Sequence, residues 1–311
     1  MTTRNIVPRA DGEGSLGTSV KKWGDVHTDA LHAGTIETTG SISGVTEPET
    51  DESVRSASTA FVKRELAKYL PIENNAGYHN SVYRGKSLGS SVTADQYAAI
   101  AAGTFDNLFI GDYWTINNVD WRIAAFDYWL HCGDTECTTH HVVIVPDTIL
   151  ASCQMNKTNI TTGAYVGSDY YKGTNGNTGK SAAQTAINNA FGSAHILNHR
   201  ELLANAVTNG YESAGSWYDS TFELMTEQMV YGGKVFHNVT NGTAWPYNYT
   251  IGKSQLPLFA LEPSRITNRA HWWLRAVASG ASFAYVGSYG DAGDYAASAS
   301  GGVRPAFAIK S

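Results

Sequence analysis

The stretch WWLRAVASGASFAYVGSYGDAGDYAASASGGVRPAFAIKS occupies residues 272–311 and combines two kinds of sequence. Its two ends, WWLR at 272–275 and VRPAFAI at 303–309, are rich in bulky and branched apolar residues, which favour buried strands. The middle, residues 276–302, contains only Ala, Val, Ser, Gly, Phe, Tyr and Asp. This pattern predicts two framework strands on either side of a surface segment.

Large apolar side chains at the two ends are predicted to anchor the framework, because burial of each contributes about 1.5–3 kcal/mol. They are Trp272, Trp273, Leu274, Val303, Pro305, Phe307 and Ile309. Between them, aromatic rings offer a large contact area at a low cost in rotamer entropy, and carboxylates and hydroxyls add polar contacts. The predicted binding residues are Ser282, Phe283, Tyr285, Ser288, Tyr289, Asp291, Asp294, Tyr295, Ser298 and Ser300.

The composition argues against several classes of protein. A net charge of −6, from 22 Lys and Arg against 28 Asp and Glu without a basic cluster, argues against nucleic-acid binding. The sequence has no run of about 20 apolar residues and no apolar signal core at its start, so neither membrane insertion nor signal-directed export is expected. With 3 cysteines, at least one is unpaired within the chain, which argues against a disulfide scaffold.

The order of the predicted elements favours an α+β fold over a parallel βαβ sheet. Aromatic and branched residues bounded by turn residues predict strands within 113–131 and 140–150. Helices are predicted within 93–103, 182–191, 198–207 and 219–233. In the third of these, Asn198 and Glu201 form an Asn variant of the capping box.

Three segments follow one another along the chain. Residues 1–48 have many glycines and few large apolar residues, which predicts a β-rich segment that cannot fold alone. Residues 49–72 have acidic residues near the start, apolar residues at helical spacing and Pro71 as a stop, which predicts an amphipathic helix. This helix either packs on the next domain or forms a trimeric neck. Residues 73–311 are predicted to form one domain.

Two groups of residues that could carry chemistry have simpler interpretations. Residues 179–181, Gly-Lys-Ser, match the end of a phosphate-binding loop, but Thr174 stands where that motif needs glycine. His195 and His199 have the spacing of a helical metal pair. The predicted helix begins after His195, however, so both histidines are expected to be ordinary packing or surface residues.

A cluster of cysteines and histidines lies within residues 131–141. Cys132, Cys137 and His140 could form a small zinc site, because thiolate and imidazole are the preferred ligands, but the adjacent His141 would point to the opposite face of a strand. The interpretation we favour is a hairpin tip whose two cysteines are bridged or reduced, with no metal. Elsewhere no catalytic motif or carboxylate pair stands out, and no cofactor is expected.

The amino-terminal sequence resembles that of bacteriophage and prophage tail-fibre proteins. The similarity lies in NIVPRADGEGSLGTSVKKWGDVHTDALHAGTI, residues 5–36, where a unit of the LGTS-x-KKW type stands. This resemblance implies a virion-attached fibre or tip protein, usually a homotrimer, made in the host cytoplasm and joined to a tail or baseplate protein through residues 1–48. Residues 53–66 also resemble phage tail proteins, which favours the neck.

The domain at 73–311 resembles the C-type lectin fold of phage receptor-binding proteins, including variable proteins of the major-tropism-determinant type, which retroelements diversify. The similarity is carried by TNRAHWWLRAVAS at 267–279, GGVRPAFAI at 301–309 and, upstream, residues 106–150. It implies that residues 276–302 form a receptor-binding face for a bacterial surface protein or glycan. Mutagenesis of asparagine codons in such relatives yields residues encoded by any-any-C, and Lys, Glu, Gln, Met and Trp, which fall outside that set, are absent from 276–302.

Other interpretations of the same domain stay open. Residues 276–302 could be a fixed Gly-, Ala- and Ser-rich loop that is not diversified. The fibre could instead carry a glycan-degrading enzyme, or an enzyme related to the formylglycine-generating enzymes, which share the fold and a Gly-x-Arg-Pro ending. Those enzymes need positioned cysteines, whereas Cys132, Cys137 and Cys153 lie far upstream. We therefore expect binding without catalysis.

Overall fold

The computed structural model describes residues 75–233 and 254–311, which form mixed helices and strands in which β-sheet predominates. The predicted α+β class is confirmed. The predicted attachment segment 1–48, helix 49–72 and boundary at 72/73 lie outside the described residues.

Short helices lie mainly on the amino-terminal side of the described chain. They are α1 (Ala76–Asn80), α2 (Ala94–Ala102), α3 (Ala164–Gly167), α4 (Asp169–Lys172), α5 (Gly179–Phe191), α6 (Glu227–Tyr231) and α7 (Pro257–Leu261), with 3-10 turns at Ser193–His195 and Pro263–Arg265. The strands are β1 (Tyr113–Ile116), β2 (Val119–Phe126), β3 (Val142–Pro146), β4 (Ala151–Cys153), β5 (His199–Thr208), β6 (Tyr211–Ser220), β7 (Phe222–Leu224), β8 (Trp272–Val277), β9 (Ser282–Val286), β10 (Ala292–Ala296), β11 (Gly301–Val303) and β12 (Pro305–Ile309).

The strands of the described residues form two five-stranded sheets and one hairpin. The first sheet has the order β1-β2-β3-β12-β7 and is antiparallel throughout. The second has the order β10-β9-β8-β11-β4, and only β8 and β11 are parallel. The hairpin consists of β5 and β6. The predicted framework strands are therefore confirmed, and they contribute to both large sheets.

One short stretch joins the two sheets. β11 belongs to the second sheet and β12 to the first, and Arg304 is the single residue between them. The Arg304 side chain is buried and donates to three backbone oxygens: Nε to Pro146 O at 2.8 Å, Nη1 to Ile266 O at 3.2 Å and Nη2 to Arg265 O at 2.9 Å. One guanidinium thus fixes the end of β3 and the turn before β8 against the crossing strand.

Aromatic rings close around the same arginine. Its Cζ lies 5.0 Å from the ring centroid of Trp272 and 5.6 Å from that of Phe259. Burial lowers the pKa of Arg304 to about 10, so the side chain keeps its charge at neutral pH. The carbonyl oxygens and ring faces together replace the water that this cation loses.

The apolar anchors predicted in the two framework strands are all buried. On the first sheet, Phe307 packs against Trp121 at a centroid distance of 5.6 Å and against Phe191 at 5.5 Å. Phe191 ends α5, whose buried residues also include Ala183 and Ile187. The amphipathic helix at 179–191 therefore covers this sheet.

Most of the predicted elements are confirmed, but two are not. The strands predicted within 113–131 and 140–150 and the helices within 93–103 and 182–191 are present. The helix predicted at 198–207 is wrong, because this segment is β5. Of the stretch 219–233, only Glu227–Tyr231 is helical, after a short strand at Phe222–Leu224.

The turn that follows β5 explains the error at 198–207. Asn209 and Gly210 have φ values of 54° and 81°, as a two-residue hairpin turn requires. β5 then pairs with β6 from His199 to Thr208. An Asn-Gly pair between two runs is a strong sequence signal for a hairpin, and it outweighs the helical propensity of the Leu- and Ala-rich stretch before it.

We predict that replacing Arg304 destabilises the whole domain. Arg304→Met leaves three buried carbonyl oxygens without their donor, and each such loss costs about 1–3 kcal/mol. The free energy of unfolding, measured by urea denaturation, should therefore fall by about 3 kcal/mol or more. Arg200→Ala is the control, because Arg200 pairs with Asp134 at the surface and its loss should matter far less. Equal denaturation midpoints for Arg304→Met and the wild type would contradict this role.

Candidate functional site

The outer end of the second sheet carries a group of aromatic side chains. Trp273, Tyr285 and Gly293 lie side by side across β8, β9 and β10. Residues directly opposite each other on antiparallel strands have their side chains on the same face, and so do residues two apart on one strand. Tyr295 therefore joins this row. We call the surface formed by His271, Trp273, Tyr285 and Tyr295 the aromatic face.

The rings of the aromatic face contact one another. The centroid of Tyr295 lies 5.5 Å from that of Tyr285, 5.6 Å from that of His271 and 6.1 Å from that of Trp273. Trp273 is buried, and its Nε1 donates to Cys153 O at 2.9 Å. His271 and Tyr295 are exposed and Tyr285 is half-buried. A fixed indole thus supports three rings that reach the solvent.

Two glycines are required where these rings approach the backbone. A Cβ on Gly293 would lie 2.6 Å from Cε1 of Tyr285, and a Cβ on Gly301 would lie 2.7 Å from Nε1 of Trp273. Both distances are far too short for a carbon atom in a packed structure. Some of the small residues in 276–302 are therefore needed for packing.

Two of the predicted binding residues are inside the protein. Phe283 is fully buried, so the expectation that its ring projects from the surface is wrong. It lies opposite Val277 of β8 and Tyr295 of β10, and belongs to the hydrophobic core. Ser282 is also buried, and its hydroxyl donates to Asp294 at 2.7 Å. Both residues hold the β9–β10 hairpin together.

The structure divides the predicted acidic residues between the two faces of β10. Asp294 alternates with Gly293 and Tyr295, so its side chain leaves the opposite face. Asp291 has the same parity as Gly293, and its carbonyl accepts from Gly287 N at 2.7 Å. Asp291 therefore borders the aromatic face, whereas Asp294 does not.

The remaining predicted residues lie in turns around the hairpin. Tyr289 is 90% exposed in the turn between β9 and β10, beside the half-buried Ser288. Ser300 is exposed, and its carbonyl oxygen is hydrogen-bonded to His271 Nε2 at 2.9 Å. Ser298 is half-buried, and its amide donates to Asn159 Oδ1 at 3.0 Å. The ten predicted residues therefore do not form one surface. Some lie on the two faces of the β9–β10 hairpin, and the others lie in the turns around it.

A buried ion pair behind β8 was missed by the sequence analysis. Arg275 Nη1 lies 2.9 Å from Glu201 Oε2, and His199 Nε2 lies 3.2 Å from Glu201 Oε1. Burial by itself would raise the pKa of Glu201, but Arg275 and His199 lower it to about 2. The carboxylate stays charged and ties the β5–β6 hairpin to the second sheet. The Asn198–Glu201 capping box is accordingly wrong, because Glu201 is part of this pair.

A second buried carboxylate lies on β7. Glu223 accepts from Tyr165 Oη at 2.7 Å and from the Ser220 hydroxyl, and Lys180 Nζ lies 3.4 Å away. Burial lowers the pKa of Lys180, and its Nζ lies 3.5 Å from the ring centroid of Tyr171. The lysine of the rejected phosphate-loop motif therefore forms an internal ion pair.

The Cys and His cluster forms a loop tip. Cys132, Cys137 and Cys153 form no disulfide bond, and Cys137 N donates to Cys132 O at 3.0 Å. His140 Nδ1 lies 2.7 Å from Asp127 Oδ2, while His141 is buried. Across 75–233 and 254–311, no group of three or more His, Cys, Asp or Glu side chains is placed to hold a metal ion. Of the two forms expected for this tip, bridged or reduced, the structure has the unbridged one.

The two histidines considered as a metal pair pack on different rings. His195 stacks on Tyr97 at a centroid distance of 4.1 Å, and His199 lies 4.2 Å from Trp129. His195 lies in a 3-10 turn and His199 begins β5. They are packing residues, as expected.

Residues 193–311 match a family described as a domain of unknown function, DUF6273. The match covers the β5–β6 hairpin and all strands from β7 to β12, and so includes the aromatic face, Arg275 and Arg304. No curated protein and no solved structure matches the chain. In the part of the chain that the structure describes, every helix is too short or too polar to cross a membrane.

We predict that the Glu201–Arg275 pair makes stability depend on pH in the acid range. The pKa of Glu201 is lowered from 4.5 to about 2, so its contribution is present above about pH 4.5 and is lost as the pH falls towards 2. At neutral pH, Glu201→Gln should cost about 3–5 kcal/mol, because it leaves Arg275 buried and unpaired. Urea denaturation at a series of pH values measures this difference.

The difference between wild type and Glu201→Gln should shrink as the pH falls from 4.5 towards 2, because the unfolded wild-type chain then takes up a proton at Glu201 that the folded protein binds only near pH 2. Glu201→Met combined with Arg275→Met is the control, since removing both charges should restore part of the stability. A difference that stays constant from neutral pH to pH 2 would contradict the ionised pair.

Proposed function

We propose that this chain is a receptor-binding protein of a bacteriophage tail fibre or tail tip, located on the virion. In this proposal its domain at 73–311 binds a bacterial surface protein or glycan and carries out no catalysis. The observation that carries the proposal is the aromatic face, where exposed rings stand on a buried tryptophan at the outer end of a sheet. Tyrosine and tryptophan dominate the energetics of protein recognition sites.

The construction of this face favours binding over a role in packing. Trp273 is held by its hydrogen bond to Cys153 O, and Tyr285 lies against Gly293. Both rings are therefore already fixed in position before a partner binds. A preorganised surface binds more tightly because less conformational entropy is lost. Tyr295 is an exposed large side chain next to this base, and Tyr289 is exposed in the turn between β9 and β10.

The proposed fold of the domain is that of the C-type lectins. The connection of β11 in one sheet to β12 in the other through Val303-Arg304-Pro305 lies in the same stretch that carries the resemblance. Residues 1–48 are proposed to attach the protein to the tail, and residues 49–72 to form the neck of a homotrimer. Repetition of a weak site around a three-fold axis would raise the avidity for a cell surface.

Diversification of residues 276–302 is part of the proposal in a restricted form. Only positions whose side chains reach the solvent can change without disturbing the core, because buried sites tolerate little change in volume. Those positions in the predicted binding set are Tyr285, Ser288, Tyr289, Asp291, Asp294, Tyr295, Ser298 and Ser300. Phe283 and Gly301 are required for packing, whereas Gly293 is constrained only while the ring of Tyr285 lies over it.

We predict that loss of the tyrosine rings weakens attachment to the host while the fold is kept. The variant with Tyr285, Tyr289 and Tyr295 changed to Ala should bind whole cells of a susceptible host at least about tenfold more weakly, because such rings contribute most of the binding energy at interfaces. Attachment of labelled protein to cells from a panel of candidate hosts measures this, and thermal denaturation tests the fold.

Two controls make the result specific. Leu261→Ala removes an exposed large side chain outside residues 276–302, so attachment should be unchanged. Phe283→Ala empties a core site and should lower stability by about 3–5 kcal/mol. Full attachment of the folded tyrosine variant would overturn the role of the aromatic face. Release of reducing sugar or peptide fragments from host envelopes by the wild-type protein would favour the enzyme alternative instead.

We predict that diversification, where it occurs, respects the burial pattern. Sequencing the gene from a propagated phage population should show changes at the solvent-exposed positions of 276–302 and constant codons at Phe283 and Gly301, because Phe283 is buried and Gly301 lies against the buried indole of Trp273. An adenine-rich template copy should lie near the gene. Uniform codons throughout the population, without such a copy, would contradict diversification and leave a fixed binding loop.

A further inference from the structure

β10 is the strand at one edge of the second sheet. β10 pairs with β9 and, within the residues that the structure describes, with no other strand. Gly287 N donates to Asp291 O at 2.7 Å and Ala297 N to Ala281 O at 2.9 Å, one at each end of the β9–β10 ladder. Hydrogen-bonded and non-bonded positions alternate along an antiparallel ladder, so the residues of β10 that bond to β9 are the odd-numbered ones.

The even-numbered residues of β10 therefore direct their backbone groups away from β9. Ala296 O accepts from Ala299 N at 2.8 Å, which closes one end of this edge. The amides and carbonyls of Ala292 and Asp294 have no backbone partner in the described parts of the chain. Both residues are at least partly exposed. An unpaired strand edge of this kind is a template for another extended chain.

The charge around this edge indicates the chemistry of a partner. Residues 276–302 contain no Lys, Arg or His, and their two charged residues, Asp291 and Asp294, are both exposed beside the open edge. Asp291 lies on the side of the aromatic face and Asp294 on the other side. In the described residues neither carboxylate forms an ion pair. An ammonium or guanidinium group on an added strand would therefore lie near Asp291 on one face of the sheet or near Asp294 on the other.

The rings favour the same partner. Side chains of an added strand on one face would lie next to Tyr295, and tyrosine rings attract cations. A strand that carries Lys or Arg would thus gain backbone hydrogen bonds at Ala292 and Asp294 together with contacts to a carboxylate or a ring. A glycan has no backbone amides to offer to this edge.

We propose that the outer edge of β10 binds an extended segment of the host receptor protein that carries Lys or Arg, by adding it as a further strand to the second sheet. This inference rests on the proposed receptor-binding function and selects a protein partner over a glycan. The two carboxylates favour a positively charged partner segment, and the unpaired strand edge favours a segment with an extended backbone.

Three synthetic peptides separate the two requirements. The first alternates Thr and Lys over seven residues, the second has the same sequence with an N-methyl group on every amide, and the third has Glu in place of Lys. Each is added to the isotope-labelled full chain, and hydrogen exchange of individual amides is followed by NMR. The amides of Gly293 and Tyr295, which face β9, serve as the internal reference.

The Thr-Lys peptide is expected to slow exchange at Ala292 and Asp294 by at least about tenfold, without a comparable change at Gly293 and Tyr295. The N-methylated peptide and the Thr-Glu peptide should have little effect, because the first has no amide donor on either edge and the second is repelled. Equal effects of the Thr-Lys and N-methylated peptides would overturn strand addition. Equal effects of the Thr-Lys and Thr-Glu peptides would overturn the preference for a basic segment.

Substitutions in the protein test the same strand edge. Ala292→Pro removes an amide that points away from β9, a position where an edge strand tolerates proline, so it should abolish binding of the Thr-Lys peptide. Changing Asp291 and Asp294 to Asn should weaken binding about threefold to tenfold. The matched control changes Asp95 and Asp106 to Asn, which alters the net charge equally on α2 and the loop after it, and should leave binding unchanged.

The inference can fail while the proposed function survives. If the free protein already protects Ala292 and Asp294 from exchange, or if the Thr-Lys peptide does not bind, the edge is not the docking site. Attachment to host cells that still depends on the tyrosines would then show that the receptor-binding proposal holds without strand addition. The peptide experiment uses the folded wild-type chain. Its outcome would therefore stay valid if the Ala292→Pro variant failed to fold.

Discussion

The arrangement of the described chain depends on burying the guanidinium of Arg304 at the point where one strand passes from the second sheet to the first. The crossing brings backbone carbonyls of three other residues to one place, and buried carbonyl oxygens without donors are costly. A single planar group with five N–H donors can serve the oxygens of Pro146, Arg265 and Ile266 at once. The aromatic rings of β8 and α7 then cover it.

A second set of buried charges holds the β5–β6 hairpin against this frame. The hairpin pairs with neither large sheet, so its attachment relies on side chains. The β8–β9 register shifts between Trp273 and Val277, and Arg275 within this bulge donates its amide to Met225 O at 3.1 Å and points its side chain to Glu201. Bulges commonly redirect side chains in this way. The irregularity in β8 therefore makes contact between the sheet and the hairpin possible.

The sequence allowed the frame to be predicted because its signals are local. The apolar runs at 272–275 and 303–309 and the alternating strands within 113–131 follow from residue type alone, and all are present. The helix predicted at 198–207 failed because its residues suit a helix, whereas the pairing partner and the Asn209–Gly210 turn lie further along the chain. The ion pair of Glu201 with Arg275 joins residues far apart in sequence, so no local sequence pattern predicts it.

The candidate site was predicted in position but not in detail, for a physical reason. Composition identifies a segment with many small residues and tyrosines, but the side of the sheet on which each side chain lies depends on the register between β8, β9 and β10. That register buries Phe283, places Tyr285 over Gly293 and directs Asp291 and Asp294 to opposite sides. The segment therefore carries two functions: one set of residues closes the core, and the other set reaches the solvent and is free to meet a partner. A surface built in this way can change its contacts only at the second set, because each change at the first would alter the sheet that supports them.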